Sequence, residues 1–561
     1  MTRTEWYKNA VVYQIYPFSF MDANDDGWGD LAGIASKLDY LKELGVTAIW
    51  FSPLYKSPCA DYGYDIADYK DIDPKFGSLD EFKALLAAAH EKSIRVIMDM
   101  ALNHSSIEHP WFREAIRDTE SPYRSYYLIR EGKRKGKKLL PPTNWSSTFT
   151  GSAWERIEGT DDFYLHLFCV EQADLNWENE AVRKEAADIF NFWLELGVDG
   201  FRLDVFNMFS KVYPLRDGKK KMMGTGEEFY IDGPRMHEFL KELNARSFSR
   251  YDSYTVGESY NPHVEDRKLY VDKDSHELDT IFNFGHFESD AMGKFFKKKF
   301  DLGVFKAGLF DPQLENFGKG WNTLVLENHD GSRSNARFGI DVRKYHYEAS
   351  TFLPAITFLG FGTPFIYMGQ EFGQTNVRFD RIEDCKDPVS HFIYDMLTGY
   401  LVPKKLAMRA INYGARDMAR VPVRWDGSVN NGFNRGHEPW QKPMTPLVDV
   451  NLEKDLASEK SVFRFYQKVL EIKKTVPAAV YGDIREYGRK DKQVVAFSRF
   501  LGDEGLLVFG NFSAKKAKFT LPAELEGFTK TLLLSNYESE TPADGVYELK
   551  PYEVLVYQLG K

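Results

Sequence analysis

The fold is decided by VVYQIYP (11–17), DLAGIASKLDYLKELGV (30–46) and AIWFSPL (48–54), three consecutive stretches near the N-terminus. The first and third are short apolar runs that are typical of buried strands. The middle stretch carries leucine or isoleucine at spacings of three and four, which is the period of one helix face. A strand, a helix and a strand in this order predict a βαβ unit with parallel strands.

The same alternation continues along the chain. Ser78 and Glu81 form a capping box that predicts a helix to about residue 92, and two more helices are predicted over 181–196 and 459–475. The strand candidates are 11–17, 48–54, 95–102, 200–205, 253–258, 280–286, 321–328 and 363–371. Eight strands alternating with helices close a (β/α)₈ TIM barrel, so we predict the α/β class.

Two long excursions and a change of pattern divide the chain into predicted domains. Residues 1–104 form the first part of the barrel, and 105–175 form an inserted subdomain after strand three, because this connection is too long for a loop. Residues 176–482 complete the barrel, with a second insertion over 375–457 after strand eight. Short strands without helices then predict a C-terminal antiparallel β-sandwich over 483–561.

Composition and charge argue against several classes of protein. The formal net charge is −10, whereas nucleic-acid-binding domains are basic. The N-terminal residues lack the apolar region of a signal peptide, and no stretch approaches the roughly 18 apolar residues of a membrane helix. Cys59, Cys169 and Cys385 are scattered and without metal spacing, which predicts reduced thiols in a cytoplasmic protein. We therefore expect no nucleic-acid or membrane partner, and a monomer.

Charged side chains gather at the C-terminal ends of the predicted strands, where barrels of this kind place their active sites. Arg202 and Asp204 are two residues apart on one strand, so their side chains share a face. An arginine beside a carboxylate keeps that carboxylate ionised, which suits a nucleophile. Glu258 ends an apolar strand, where partial desolvation would raise its pKa as a general acid requires.

A single acidic residue at a strand end is more often structural or solvated than catalytic. Here four strand ends carry polar residues together, at Asp99, Asn103, His104, Arg202, Asp204, Glu258, Glu327, Asn328, His329 and Asp330. Glycoside cleavage needs two carboxylates on either side of the scissile bond, and their separation distinguishes retaining from inverting enzymes. A structural explanation would need every one of these residues to be incidental, so the set indicates a catalytic site.

Four motifs carry a resemblance to a known family: DMALNH (99–104), GFRLDV (200–205), VGES (256–259) and LENHD (326–330). With these motifs in this order, the chain resembles the α-amylase superfamily, glycoside hydrolase family thirteen. The resemblance implies hydrolysis of an oligosaccharide with retention, through a covalent glucosyl-enzyme and without a catalytic cofactor.

The resemblance also implies a role for each residue that matches a family motif. Asp204 matches the nucleophile, Glu258 the general acid/base and Asp330 the carboxylate that stabilises the transition state. The residues that match those holding the sugar at the point of cleavage are His104, Arg202 and His329. Asp99 matches a supporting position.

Further motifs narrow the resemblance to the oligo-1,6-glucosidase branch: DYGYDIADY (61–69), FTGSAW (149–154), FYLHLF (163–168), EQADLNWEN (171–179) and RVPVRWD (420–426). By resemblance, Asp61 and Arg420 clamp the non-reducing glucose, which makes the enzyme exo-acting. The other residues implied to line the pocket are Tyr64, Phe149, Phe168 and Gln172. Val205 resembles enzymes that prefer α-1,6 bonds.

Three other functions remain open. Residues 230–244, YIDGPRMHEFLKELN, resemble trehalose-6-phosphate hydrolases, and Arg235 or nearby lysines could hold a phosphate. Against that, no lysine directly follows His286. A sucrose-acting transglucosylase or isomerase is the second alternative. The third is a non-enzymatic binding protein, like the amino-acid-transporter heavy chains, but those have a membrane helix and lack the catalytic carboxylates that this chain keeps.

The stretch DANDDGWGD (22–30) predicts a cation site. The candidate ligands are Asp22, Asn24, Asp26, Asp30 and the backbone carbonyl of Trp28. Such oxygen ligands suit a structural Ca²⁺ or Mg²⁺, and the resembling family has a metal here. The alternative interpretation is a polar turn with a helix cap.

Overall fold

The structure of the 561-residue chain is a computed structural model. It describes residues 3–149, 151–221, 224–538, 542 and 545–561. The chain contains two compact units. Unit 1 comprises residues 1–5, 50–90 and 95–281, and unit 2 comprises residues 6–49, 91–94 and 282–561.

Eight short strands lie where the sequence predicts the barrel strands. They are β1 (Val12–Ile15), β2 (Ala48–Phe51), β3 (Arg95–Met100), β4 (Gly200–Leu203), β5 (Tyr254–Gly257), β6 (Thr280–Ile281), β7 (Thr323–Val325) and β8 (Thr363–Tyr367). Each is shorter than its predicted run, because residues at one or both ends of the run lie beyond the regular ladder.

The sheet of unit 1 is built from parallel pairs: β4 pairs with β3 and with β5, and β5 pairs with β6. The register sets Arg202 of β4 directly beside Asp99 of β3. Asp204 and Glu258 come just after the ends of β4 and β5, and their N–H groups still donate to the neighbouring strand. This edge of the sheet therefore carries acidic side chains in adjacent positions.

In unit 2, β8 pairs in parallel with both β1 and β7, and the N–H of Ala48 at the start of β2 donates to the Val11 carbonyl. His329 and Asp330 follow β7 by a few residues.

The longer helices include those predicted near 79–92, 181–196 and 459–475. They span Leu79–Glu91, Pro110–Arg117, Glu180–Glu195, Met236–Arg246, Val264–Val271, Leu302–Asn316, Val342–Phe358, Pro388–Gly399, Lys404–Gly414 and Val462–Thr475. The capping box is present: the Ser78 N–H donates to Glu81 Oε2 at 2.7 Å, and the Glu81 N–H donates to Ser78 Oγ at 3.2 Å. None of the helices described has the length and apolarity needed to cross a membrane.

The prediction of one continuous helix over 30–46 is wrong. It is two helices, Leu31–Ala35 and Leu38–Leu44, separated where Lys37 leaves the helical conformation. Asp30 caps the first, accepting from the Gly33 N–H at 2.6 Å. The apolar residues still keep one face, because both helices bury their leucines.

The excursion over 105–175 is structured. It contains a three-stranded antiparallel sheet of Ile129–Glu131, Asp162–Leu165 and Trp154–Arg156. Trp154, Phe163 and Leu165 pack in a buried cluster that also includes Val205. This cluster places the insertion beside the segment that follows β4.

The C-terminal residues form antiparallel strands, as predicted, with two strands that the sequence reading missed. The strands are β9 (Asp483–Tyr487), β10 (Val494–Leu501), β11 (Glu504–Asn511), β12 (Ala517–Thr520), β13 (Thr529–Ser535), β14 (Val546–Leu549) and β15 (Val554–Gly560). Five form one sheet, and β12 pairs with β14 in another. The missed strands are β9 and β14, which lack the apolar runs of the others.

Candidate active site

Arg202 is the centre of the candidate site in unit 1. Its Nη1 donates to Asp99 Oδ1 and to Asp204 Oδ1, both at 2.6 Å, and its Nη2 donates to Glu258 Oε2. The guanidinium is buried. One buried cation therefore holds three carboxyl groups that come from the ends of three adjacent strands, and the predicted nucleophile and acid/base meet here.

Arg202 favours the ionised form of Asp204, as expected, but burial opposes it. Burial raises the pKa of Asp204 to about 6, and it outweighs the attraction of the Arg202 guanidinium, while the charge of Asp99 raises the pKa further. Burial likewise raises the pKa of Asp99 to about 6. Because Asp99 and Asp204 share one arginine and repel each other, the charge of each raises the pKa of the other. Asp204 is still mainly ionised at neutral pH.

Asp99 is held from its other side by two neutral donors. Tyr64 OH donates to Asp99 Oδ2 at 3.0 Å and Trp50 Nε1 donates to the same oxygen at 3.2 Å. The Arg202 guanidinium lies 5.7 Å from the centre of the Tyr64 ring. Tyr64, predicted to stack on the sugar, is thus also part of the support of Arg202.

His104, Gln172 and Asp61 form a second cluster of predicted pocket residues in unit 1. Gln172 Nε2 lies 3.0 Å from His104 Nε2 and donates to Asp61 Oδ2 at 3.3 Å. Burial lowers the pKa of His104 to about 4, so its ring is neutral at pH 7. The Phe168 ring lies 5.2 Å from the His104 ring and 5.4 Å from that of Phe149. The structure therefore brings these five predicted residues together.

The loop that carries Asp61 is anchored by Asp65, a residue that the sequence reading did not single out. Asp65 accepts from the N–H groups of Ala60 and Asp61 and from the Ser57 hydroxyl, at 2.9 to 3.0 Å. The signal in the sequence that could have identified Asp65 was its position at the end of DYGYD (61–65), the start of a motif that carries the family resemblance. These bonds hold the backbone of Asp61 in one position.

Val205, directly after Asp204, has a strained backbone, with φ 35° and ψ 39°. A β-branched residue in this left-handed region is rare and costs about 1–3 kcal/mol. Its side chain is buried. The strain lies next to the predicted nucleophile, where a sharp change of chain direction follows β4.

The remaining predicted residues lie in unit 2 around Asp330. Arg420 Nη2 donates to Asp330 Oδ1 at 2.9 Å, and its Nε donates to the His329 carbonyl at 3.0 Å. His329 Nε2 lies 3.2 Å from Asp330 Oδ2. Burial alone would raise the pKa of Asp330, but the positive charges of His329, Lys294 and the arginines hold it well below its usual range. Asp330 is therefore ionised.

Three residues that the sequence reading missed support this second group. Gln14 Nε2 lies 2.7 Å from His329 Nδ1. Arg416 makes a two-pronged ion pair with the buried Asp387, at 2.8 and 2.6 Å, and its Nη1 lies 3.6 Å from Asp330. Asp387 and Arg416 are far apart in the sequence, so their ion pair could not be predicted from it. The available signal was only that each of them is a charged residue.

The predicted cation loop is a hydrogen-bonded turn. Asp22 accepts from three backbone N–H groups and from Asn434 Nδ2, and Asp30 accepts from three more. Among the described residues, no three of the four aspartates of this loop have ligand atoms within 4.8 Å of one another. The oxygen donors fit a hard cation in type. The four hydrogen bonds that Asp22 accepts occupy the lone pairs of both its oxygens, whereas each oxygen of Asp26 accepts one. The helix-cap alternative holds for Asp30.

The raised pKa of Asp204 predicts the acid limb of the pH profile. If Asp204 must be ionised, kcat/KM falls as the pH drops through about 6, rather than through the usual range near 4. Steady-state rates on an aryl α-glucoside between pH 4 and 8 measure it. In Asp99→Asn the limb should move to lower pH, because one of the causes of the raised pKa is removed. An acid limb near 4 in the parent protein would contradict the burial argument.

The chain was compared with known proteins. Residues 14–482 match the family described as "Alpha amylase, catalytic domain", and residues 494–556 match "Alpha-amylase SusG C-terminal domain". Among curated proteins, the chain is 44% identical to an oligo-1,6-glucosidase of Parageobacillus thermoglucosidasius, covering 99% of both chains. It is 41% identical to a trehalose-6-phosphate hydrolase of Bacillus subtilis, covering 100% of this chain and 99% of that protein.

Solved structures agree on the fold. The structure of Bacillus licheniformis trehalose-6-phosphate hydrolase matches with a TM-score of 0.92 at 42% identity, over 99% of this chain and 100% of that one. A trehalulose synthase of Pseudomonas mesoacidophila matches with a TM-score of 0.93 at 34% identity, over 99% of each chain. The predicted fold class, a (β/α)₈ barrel with an inserted subdomain and a C-terminal antiparallel β-domain, is confirmed.

Proposed function

Because this chain belongs to the α-amylase family of glycoside hydrolases, we propose that it is an exo-acting, retaining α-glucosidase that releases glucose from the non-reducing end of α-1,6-linked isomalto-oligosaccharides. The observation that carries the retaining chemistry is the grouping around Arg202. Asp204 and Glu258 bind the same guanidinium and lie within hydrogen-bonding reach of each other. Retaining enzymes hold their two carboxyl groups about 5–5.5 Å apart and inverting enzymes hold them farther apart.

The proposed roles are those that the family resemblance implies for the three carboxyl groups. Asp204 attacks the anomeric carbon and forms the glucosyl ester, while Glu258 donates its proton to the departing glycosidic oxygen. Glu258 then takes a proton from water, which attacks the same carbon and releases Asp204. Asp330, held ionised, is proposed to stabilise the positive charge that develops on the sugar.

The neutral His104, with Gln172 and Asp61, is proposed to bind the hydroxyls of the terminal glucose. The other proposed sugar-binding residues are Tyr64, Phe149, Phe168, Arg202, Val205, His329 and Arg420. A pocket that clamps the non-reducing end makes the cleavage exo-acting. The high identity to oligo-1,6-glucosidases supports the choice of the α-1,6 bond.

A substrate panel tests this function. Isomaltose, panose, maltose, sucrose, trehalose and trehalose 6-phosphate are supplied separately, and the products are separated and quantified. We expect the highest kcat/KM on isomaltose or panose, with free glucose as the product. Preference for another bond, or isomerised sucrose, would overturn the proposal.

Trehalose-6-phosphate hydrolysis is the second candidate, since relatives of that name match as broadly as the oligo-1,6-glucosidases. Arg235, the residue suggested to hold the phosphate, is already in ion pairs with Glu178 and Glu238. Its guanidinium charge is therefore balanced by two carboxylates, which weighs against this role. Hydrolysis of trehalose 6-phosphate in preference to isomaltose would favour the second candidate.

Val205 provides a test of the linkage preference. In Val205→Thr, we expect the ratio of kcat/KM on maltose to that on isomaltose to rise about tenfold. Replacing a methyl group by a hydroxyl makes the proposed sugar pocket more polar at this position, which changes the glycosidic linkage that it favours. Threonine keeps the β-branch, so the backbone strain is unaltered. Val205→Ile is the matched control, because isoleucine keeps this position of the proposed pocket apolar, and its ratio should stay near that of the parent protein. An unchanged ratio in the threonine variant would remove Val205 from the specificity determinants.

A structural Ca²⁺ or Mg²⁺ is proposed at Asp22, Asn24, Asp26, Asp30 and the Trp28 carbonyl. A cation bound only by the folded protein stabilises it. Dialysis against a chelator should therefore lower Tm by a few degrees, and added Ca²⁺ should restore it, as measured by differential scanning calorimetry. Asp26→Asn should reduce the shift. An unchanged Tm, together with no metal by elemental analysis, would argue for a plain capped turn.

Three further proposals concern the domain boundaries, the location and the oligomeric state. The domain boundaries after residues 104, 175 and 482 remain as predicted, supported by the sheet within the insertion and by the antiparallel C-terminal strands. A cytoplasmic location is proposed because Cys59, Cys169 and Cys385 are scattered along the sequence without metal spacing, as reduced thiols commonly are. A monomeric state is proposed with it, and analytical ultracentrifugation would test that state.

A further inference from the structure

A histidine and two aspartates meet in unit 1, close to the segment that follows Glu258. His263 immediately precedes the helix Val264–Val271, and Asp266 lies in its first turn. Asp232 lies before the helix Met236–Arg246. One ligand atom from each of the three residues lies within 4.8 Å of the others, and no other trio of His, Cys, Asp or Glu does so in the part of the chain that the structure describes.

The distances from His263 match those around a tetrahedral metal ion. His263 Nδ1 lies 3.5 Å from Asp232 Oδ2 and 3.1 Å from Asp266 Oδ2. Zn²⁺ binds imidazole nitrogen and carboxylate oxygen at about 2.0–2.2 Å, so neighbouring ligand atoms around it lie about 3.4 Å apart. His263 Nδ1 is therefore already near this separation from both carboxylates, and one ligand atom of each residue lies within 4.8 Å of the others.

Outer partners hold each carboxylate by its other oxygen. Asp232 Oδ1 accepts from Tyr270 OH at 2.6 Å and from Asn207 Nδ2 at 3.0 Å. Asp266 Oδ1 lies 3.2 Å from His237 Nε2. Hydrogen bonds of this kind orient metal ligands and tune affinity. Both Oδ2 atoms thus face His263 in a fixed position.

The local charge favours a cation. The Asp232 side chain is 1% exposed, and its hydrogen-bond donors are a hydroxyl, an amide and a backbone N–H, none of which neutralises it. His237 is paired with another buried carboxylate, Glu277, at 2.8 Å. Asp232 and Asp266 thus place two carboxylates beside one imidazole, a set whose negative charge a divalent ion would balance.

We propose that Asp232, His263 and Asp266 bind a divalent transition-metal ion, of which Zn²⁺ is the representative, with the fourth position open to solvent at the exposed His263 ring. Imidazole with two carboxylates is a ligand set that Zn²⁺ and other divalent first-row transition-metal ions accept. The site is separate from the oxygen-only loop at residues 22–30.

The position of the site connects it to the catalytic segments. Asn207, three residues after Asp204, donates to Asp232 and to the Tyr260 carbonyl, and accepts from the Tyr260 N–H. Tyr260 is two residues after Glu258. An ion at His263 would therefore fasten the segment that follows Glu258 to the segment that holds Asp232.

Calorimetric titration of metal-free protein with ZnCl₂ tests the proposal. We compare the parent with His263→Ala, and use His276→Ala, another exposed histidine, as the matched control. The parent and His276→Ala should bind one more equivalent of Zn²⁺ than His263→Ala, or bind it at least about tenfold more tightly. Zn²⁺ should raise the Tm of the parent and of His276→Ala, and should leave the Tm of His263→Ala unchanged.

Asp266→Asn is an independent variant for the case in which circular dichroism shows that His263→Ala does not fold. We expect Asp266→Asn to lose Zn²⁺ binding at this site as well. Co²⁺ gives a second readout, a visible absorption band that Zn²⁺ abolishes by displacement. Equal Zn²⁺ binding by the parent and by both ligand variants, or no binding by the parent, would overturn the proposal.

Discussion

Asp204→Ala lowers kcat on isomaltose and on aryl α-glucosides alike by at least about 10⁴-fold. The carboxylate of Asp204 is the atom group that forms the covalent intermediate in the proposed mechanism, and alanine offers no replacement. Since Asp204 follows β4 directly and bonds to Arg202, the loss should fall on both substrates whatever their leaving groups. Steady-state kinetics on the folded variant measure this effect.

Two controls separate loss of chemistry from loss of fold. Asp188→Ala removes an exposed carboxylate from the helix Glu180–Glu195 and should leave kcat unchanged. Azide added to Asp204→Ala should restore part of the turnover and yield the β-glucosyl azide, because the small anion attacks from the side of the missing carboxylate. Near-normal hydrolysis by Asp204→Ala would end the assignment of the nucleophile.

Glu258→Gln has the second-largest expected effect, and it depends on the leaving group. A general acid contributes about 10²–10⁴-fold, so kcat/KM on isomaltose should fall by that amount. A dinitrophenyl α-glucoside has a leaving group that needs no proton, so its first step should remain fast. The variant should therefore release a burst of dinitrophenol, followed by slow turnover, because the same residue activates water in the second step.

Rapid-mixing measurements of dinitrophenol release detect that burst. Glu265→Gln, at an exposed glutamate nearby in sequence, is the matched control and should behave as the parent protein. An equal loss on both substrates, without a burst, would assign Glu258 to another role.

Much of the site was predictable because it lies where the pattern of strands ends. The apolar runs locate β4 and β5, and the residues after them are therefore Asp204 and Glu258. The rule that parallel barrels place function at this edge does not depend on the packing of any particular side chain. By contrast, the register that sets Asp99 beside Arg202 cannot be read from either strand alone.

The sequence by itself determined the order of strands and helices, the acidic strand ends and the family resemblance, because these depend on local periodicity and on residue identity along the chain. Only the tertiary structure decided the charge state of Asp204, the support of Asp330 by Arg416 and the meeting of Asp232 with His263. Each of these depends on how far a group is buried and on partners distant in sequence, and both are set when the chain packs.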